Sequence, residues 1–175
     1  MKAARVSILF SIVLSMIAVV TAFGQTERFS DANVDYGFDV PEAKWKMTVK
    51  PSATSPNVEY VHGDRNDGHL EVRRLKVSRD AMLADIIRDE EQKLQFLPGY
   101  VAGPDENFAG RLRGSVFNFE FVRTGRPMSG RFYFLRSPDD LSVYVLRFTG
   151  FRDKLRSIRN QTDSIGRTFS INSGK

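Results

Sequence analysis

The feature that most limits what this chain can fold into is the stretch 115–149, where apolar residues recur at every second position through three successive segments. Phe117, Phe119 and Phe121 fall on one side of the first. In the second, Phe132 and Phe134 alternate with Tyr133 and Leu135. In the third, at 141–149, Val143 and Val145 point one way while Tyr144, Leu146 and Phe148 point the other. A side-chain period of two belongs to extended backbone, and a strand apolar on both faces needs cover on both. Residues 124–130 and the Ser-Pro-Asp-Asp at 137–140 supply reversals. The stretch therefore predicts hairpin-joined antiparallel strands with the last one central, and the alternating aromatics read as core.

The remaining segments supply neighbours for that sheet. Tyr-Gly-Phe-Asp-Val at 36–40 alternates until Pro41, whose missing amide stops a strand. Trp45, Met47 and Val49 alternate until Pro51; residues 52–57 read as a loop, 58–61 as a short strand and 70–77 as another. Between those two lies His62-Gly-Asp-Arg-Asn-Asp-Gly-His69. Its spacing fails the helix-loop-helix calcium pattern, because Gly68 stands where an acid is needed and no bidentate glutamate follows. Two histidines are also too few for a closed metal site. Asp67-Gly68 instead predicts a hairpin reversal with positive φ.

A first helix is expected over 78–97, with Met82, Leu83, Ile86, Ile87, Leu94 and Leu97 as its apolar stripe and Pro98-Gly99 as its stop. Asp89, Glu90 and Glu91 sit beside Arg88 and Lys93 and read as a solvated face, not as an acid/base pair. A second helix is expected over 151–165 on Phe151, Leu155, Ile158 and Ile165, followed by a final strand at 167–171. The order of elements predicts an α+β fold, an antiparallel β-sheet flanked by helices.

The chain begins with Lys2 and Arg5, an apolar run over 6–20 interrupted only by serines, and Ala22 and Gly24 at the −3 and −1 positions of a cut before Gln25. This is the pattern of a secretory signal peptide, shorter than the roughly 20 apolar residues of a membrane span. The expected division is a signal peptide at 1–24, a flexible lead-in at 25–35, one domain at 36–171 and a tail at 172–175. The processed protein is expected in the periplasm or the extracellular medium without a stable membrane anchor. The absence of cysteine, in a setting that permits disulfides, leaves stability to packing and excludes thiol chemistry.

Charge is divided unevenly. Residues 25–100 carry 11 basic and 14 acidic side chains, and residues 101–175 carry 13 and 7. Arg152, Arg156 and Arg159 recur at i, i+4 and i+7 on one side of the second expected helix and form its sharpest basic feature. They are the candidate partner-binding residues, facing an anionic macromolecule or an acidic protein of the cell envelope; an exported chain makes nucleic acid an unsuitable partner. Ordinary solvation of the helix is the competing account.

No Gly-x-Ser-x-Gly elbow and no paired carboxylates in a recognisable cleft occur, so no catalytic, metal or cofactor residues are assigned and no cofactor is expected. The expected function is that of an exported non-enzymatic binding or accessory protein. The alternatives are a carrier of a small apolar ligand in a phenylalanine-rich pocket and a hydrolase with an unrecognised site.

The run Tyr36-Gly-Phe38-Asp-Val-Pro41 followed by Trp45, the strand entry at 110–121, the aromatic hairpin up to Phe148 and the ending Ile165-Gly-Arg-Thr168-Phe169 resemble the PsbP/Mog1 superfamily of α/β/α sandwich domains. The family often has Ser-Phe where this chain has Thr168-Phe169. The resemblance implies a module that docks onto other macromolecules, as extrinsic photosystem subunits, a Ran-binding nuclear factor and bacterial envelope proteins do. It carries no shared active site, and fold alone does not fix function.

Overall fold

The computed structural model describes residues 26–139 and 141–172; the expected signal peptide and residues 173–175 of the tail lie outside them. In chain order the elements are β1 (Glu27–Ser30), β2 (Tyr36–Val40), β3 (Trp45–Val49), β4 (Val58–His62), β5 (His69–Lys76), α1 (Leu83–Leu94), β6 (Val101–Ala109), β7 (Arg113–Arg123), β8 (Arg126–Arg136), β9 (Ser142–Phe151), α2 (Arg152–Ser157), α3 (Arg159–Thr168) and β10 (Ser170–Ile171). Seven strands form one sheet in the order β3-β4-β5-β9-β8-β7-β6, and β1, β2 and β10 form a small second sheet. All pairings are antiparallel. The fold is α+β, with an antiparallel seven-stranded sheet and helices on its faces.

The doubly apolar segment is β9, the middle strand of the seven. Its two faces feed two separate cores. Tyr144, Leu146 and Phe148 pack with Tyr133 and Leu135 against the small sheet, α2 and α3, joining Tyr36, Phe38, Leu155, Ile165 and Phe169. On the other face Val143 and Val145 join Phe117, Phe119, Phe121, Phe132 and Phe134 beneath Ile87 and Leu94 of α1. The phenylalanine-rich side is largely solid. Phe119 stacks on Phe117 and Phe121 at ring distances of 5.6 and 5.8 Å and meets Phe132 edge-on at 5.0 Å.

Several boundaries differ from expectation, each for a local reason. β8 starts at Arg126 and not near residue 131, because Thr124 and Gly125 (φ +49° and +73°) close the β7–β8 hairpin in two residues, the left-handed pair that matches strand twist. In the 62–69 loop the residue with positive φ is Gly63 (+64°), not Gly68. Gly68 is needed for close approach instead, since a Cβ there would lie 2.7 Å from Ile158 Cδ1. The expected lead-in contains β1, paired along β2 from Glu27↔Val40 to Ser30↔Gly37. α1 begins at Leu83, after a turn in which Ala81 N–H donates to the Ser78 carbonyl. The second expected helix is two helices broken at Ile158 (φ −105°, ψ 15°), and Arg167 and Thr168 belong to α3 and not to the last strand. β6 was not foreseen: Gly103 and Pro104 interrupt it and its register shifts between Ala102 and Asp105.

Candidate functional site

The arginine ladder lines an open cleft of about 440 Å³ on the small-sheet face of the main sheet. Antiparallel register builds its floor. Asn118 lies opposite Arg131 and Glu120 opposite Ser129 on β7 and β8, so these four side chains share one face. The β6 edge, from Val101 to Pro104 with Glu106 beyond, forms one wall, and α2 with the first residue of α3 forms the other. Leu155, buried at 4% exposure, anchors α2 to the core and turns its flanking arginines toward the cleft.

Two of the three arginines are paired, Arg152 to the floor and Arg159 across to the β6 wall. Arg152 Nη1 lies 3.3 Å from Glu120 Oε2, and Arg159 Nη2 lies 3.1 Å from Glu106 Oε2. Arg156, exposed between them, has no ion-pair partner among the described residues. The break at Ile158 does not disperse the ladder: all three side chains still line the one cleft.

Beneath them lies a charge that sequence reasoning missed. Arg131 is 6% exposed. Its Nη1 donates to Asn118 Oδ1 at 2.7 Å, its Nε to the Tyr133 hydroxyl at 2.8 Å, and its Nη2 to Asp163 Oδ1 at 2.9 Å. The Tyr133 hydroxyl donates to the same Asp163 oxygen at 2.5 Å and lies 3.0 Å from Thr162 Oγ1. Burial works against the arginine's charge, but Tyr133 and Asp163 more than offset it and hold its pKa above the ordinary value. Burial also pushes the Tyr133 phenol well above its usual pKa, which keeps it a neutral donor. One signal was present in the sequence: period two puts Arg131 in phase with Tyr133 and Leu135, an arginine on an apolar face.

The chemistry of the cleft is that of anion recognition. Four guanidinium groups line the cleft with two carboxylates, Glu106 and Glu120, and a third, Asp163, pairs with Arg131 beneath it. The two histidines turn to separate partners, His62 Nε2 to Glu42 at 2.6 Å and His69 Nε2 to Glu59 at 2.8 Å. Trp45 Nε1 and Gln161 extend the first of these pairs into a chain of hydrogen bonds at 2.8 and 2.9 Å that ties α3 to the main sheet. Among the described residues no three His, Asp or Glu side chains converge as metal ligands, and no helix is long and apolar enough to cross a membrane.

No protein-family model matches the sequence, and no curated protein matches it. Solved structures do match. Cyanobacterial PsbP (CyanoP) from Synechocystis is similar at a TM-score of 0.61 and 14% identity, over 87% of this chain and 95% of that one. The Ran-binding protein Mog1p of Saccharomyces cerevisiae is similar at 0.61 and 9% identity, over 85% and 96%. LpqN, involved in cell envelope biogenesis of Mycobacterium tuberculosis, is similar at 0.56 and 15% identity, over 84% and 85%. At these identities the likeness shows the fold: this chain has the PsbP/Mog1-like architecture that its sequence resembles.

Proposed function

We propose that this PsbP/Mog1-like domain is an exported, non-enzymatic binding protein that docks an acidic segment of an envelope macromolecule in the cleft of Arg152, Arg156 and Arg159. The observation that carries the reading is the placement of the ladder. Three arginines that would otherwise only solvate a helix, Arg152 half-buried and Arg156 and Arg159 exposed, share a concave site whose floor holds a fourth, buried guanidinium. A cleft lined by one dominant sign raises the local concentration of an opposite charge and speeds encounter. The pattern of residues 1–24 supports export, and the envelope role of LpqN supports the compartment.

The test compares the parent with an Arg152→Gln/Arg156→Gln/Arg159→Gln variant in binding to the native envelope fraction at low and high salt. Arg152 and Arg159 make only exposed pairs, which contribute roughly 0.2–1 kcal/mol each, so the variant is expected to melt within a few degrees of the parent. Association is expected to slow several-fold at low salt and to lose most of its salt dependence. The single change Arg156→Gln, which breaks no ion pair, is expected to shift binding in the same direction. Superimposable binding curves would return the ladder to solvation. N-terminal sequencing of protein recovered from the envelope or medium is expected to begin near Gln25; a retained Met1 would refute export by cleavage.

A further inference from the structure

A second cavity, of about 250 Å³, opens on the opposite face of the main sheet, beneath the C-terminal end of α1. Register explains why it exists. His69, Thr149, Gly130 and Phe119 lie in one row across β5, β9, β8 and β7. Thr149 is short and Gly130 has no side chain, so this row is depressed between the rows that contain Phe132 on one side and Phe121 on the other. The Phe119 ring leans over Gly130, where an added Cβ would meet it at 2.1 Å, and closes one end of the hollow. Leu94 and Leu97 roof it.

The walls have two characters. Leu94, Leu97 and the phenylalanines make one side apolar, while Arg147, Arg123 and the Glu71 carboxylate reach the other. The Arg147 guanidinium lies over the Phe132 ring at 4.8 Å and is only loosely neutralised, 3.5 Å from Glu71 and 3.7 Å from Glu90. Its Nε is buried and has no hydrogen-bond partner among the described residues. A buried donor left unpaired is costly, and native structures place a partner there. Burial and the neighbouring Arg73 depress the Arg147 pKa in spite of those two glutamates, so an added anion would stabilise its charge. Arg123 stacks on Phe121 at 5.5 Å and has no ion-pair partner among the described residues.

We propose that this pocket binds a small amphipathic carboxylate, its apolar part against Leu94, Leu97, Phe119 and Phe121 and its carboxylate on Arg147, with the Arg123 charge at the other end of the pocket. The unpaired Arg147 Nε and Arg123, the one lining cation without an ion-pair partner among the described residues, select a monoanion over a neutral molecule. The apolar roof selects a hydrocarbon body over a polar one. The site shares none of the arginines of the basic cleft, which lies on the other side of the sheet, although Phe119 lines both.

Octanoate and its neutral counterpart 1-octanol are the probes, titrated at up to low millimolar concentration by calorimetry and followed by the rise in melting temperature that a ligand of the folded state produces. Octanoate is expected to bind saturably and at least tenfold more tightly than 1-octanol. Arg123→Gln, a change at an exposed side chain, is expected to weaken octanoate severalfold, and Arg147→Gln at least tenfold. Thr149→Leu fills the depressed row and is expected to abolish binding with a near-parental melting temperature; it carries the test if Arg147→Gln does not fold. The Arg152→Gln/Arg156→Gln/Arg159→Gln variant is expected to bind octanoate like the parent. Equal affinity for octanoate and 1-octanol, undiminished binding by Thr149→Leu, or no saturable octanoate binding would each overturn the proposal.

Discussion

Replacing Asp163 by Ala removes the main counter-charge beneath the basic cleft. One Asp163 oxygen accepts from Arg131 Nη2 at 2.9 Å, from Arg131 Nε at 3.3 Å and from the Tyr133 hydroxyl at 2.5 Å. Without it, Arg131 keeps Asn118 Oδ1 at 2.7 Å and the Tyr133 hydroxyl at 2.8 Å, and the remaining carboxylate, Glu106, stands 3.6 Å away. Breaking a buried ion pair by removing one partner costs about 3–5 kcal/mol, because the surviving charge stays desolvated. The Asp163 side chain is 25% exposed, so water reaches the vacated position, and with Glu106 nearby the expected loss falls at the low end, about 3 kcal/mol. For a domain of this size that corresponds to a drop in melting temperature of roughly 6–12 °C. Chemical denaturation of the parent, Asp163→Ala, Arg131→Met and the double variant measures it. Because the penalty lies in the orphaned guanidinium, the double variant is expected to be more stable than Asp163→Ala alone. A loss below about 1 kcal/mol for Asp163→Ala, or a double variant that loses the sum of the two singles, would refute the reasoning.

Two further outcomes are expected. Phe148, fully buried between Trp45 and Tyr133 at ring distances of 5.9 and 5.6 Å, is expected to cost roughly 3–5 kcal/mol when changed to Ala, read from denaturant midpoints; a loss under about 1 kcal/mol would mean the central strand is not packed on this face. Hydrogen bonds from His62 and Gln161 hold the Glu42 carboxyl below the ordinary carboxylate range, so its contribution to stability is present above the unfolded pKa and is lost as pH falls through the folded one. Glu42→Gln is therefore expected to flatten the acid side of a melting-temperature profile, and an unchanged acid limb would contradict this.

Local patterning determined a large part of this protein. Period two along 115–149 grouped Phe117, Phe119 and Phe121 on one face of their strand and separated Val143 and Val145 from Tyr144, Leu146 and Phe148, and both groupings hold in the two cores. It also made β9 central, because a strand apolar on both faces is stable only when both are covered. Despite the break at Ile158, Arg152, Arg156 and Arg159 still line one cleft.

What only the tertiary structure decided depends on residues far apart in the chain. β6 is poor in apolar residues and is a strand because β7 pairs with it. β1 is polar and is ordered by β2. Arg131 became a buried charge because α3 brings Asp163 to it across 32 positions of sequence. The hollow beneath α1 exists because a threonine and a glycine on two strands fall into one row, an accident of register that no single segment encodes. Periodicity reports which way a side chain points, while a cleft, a counter-ion or a vacancy is set by what the rest of the chain places opposite it.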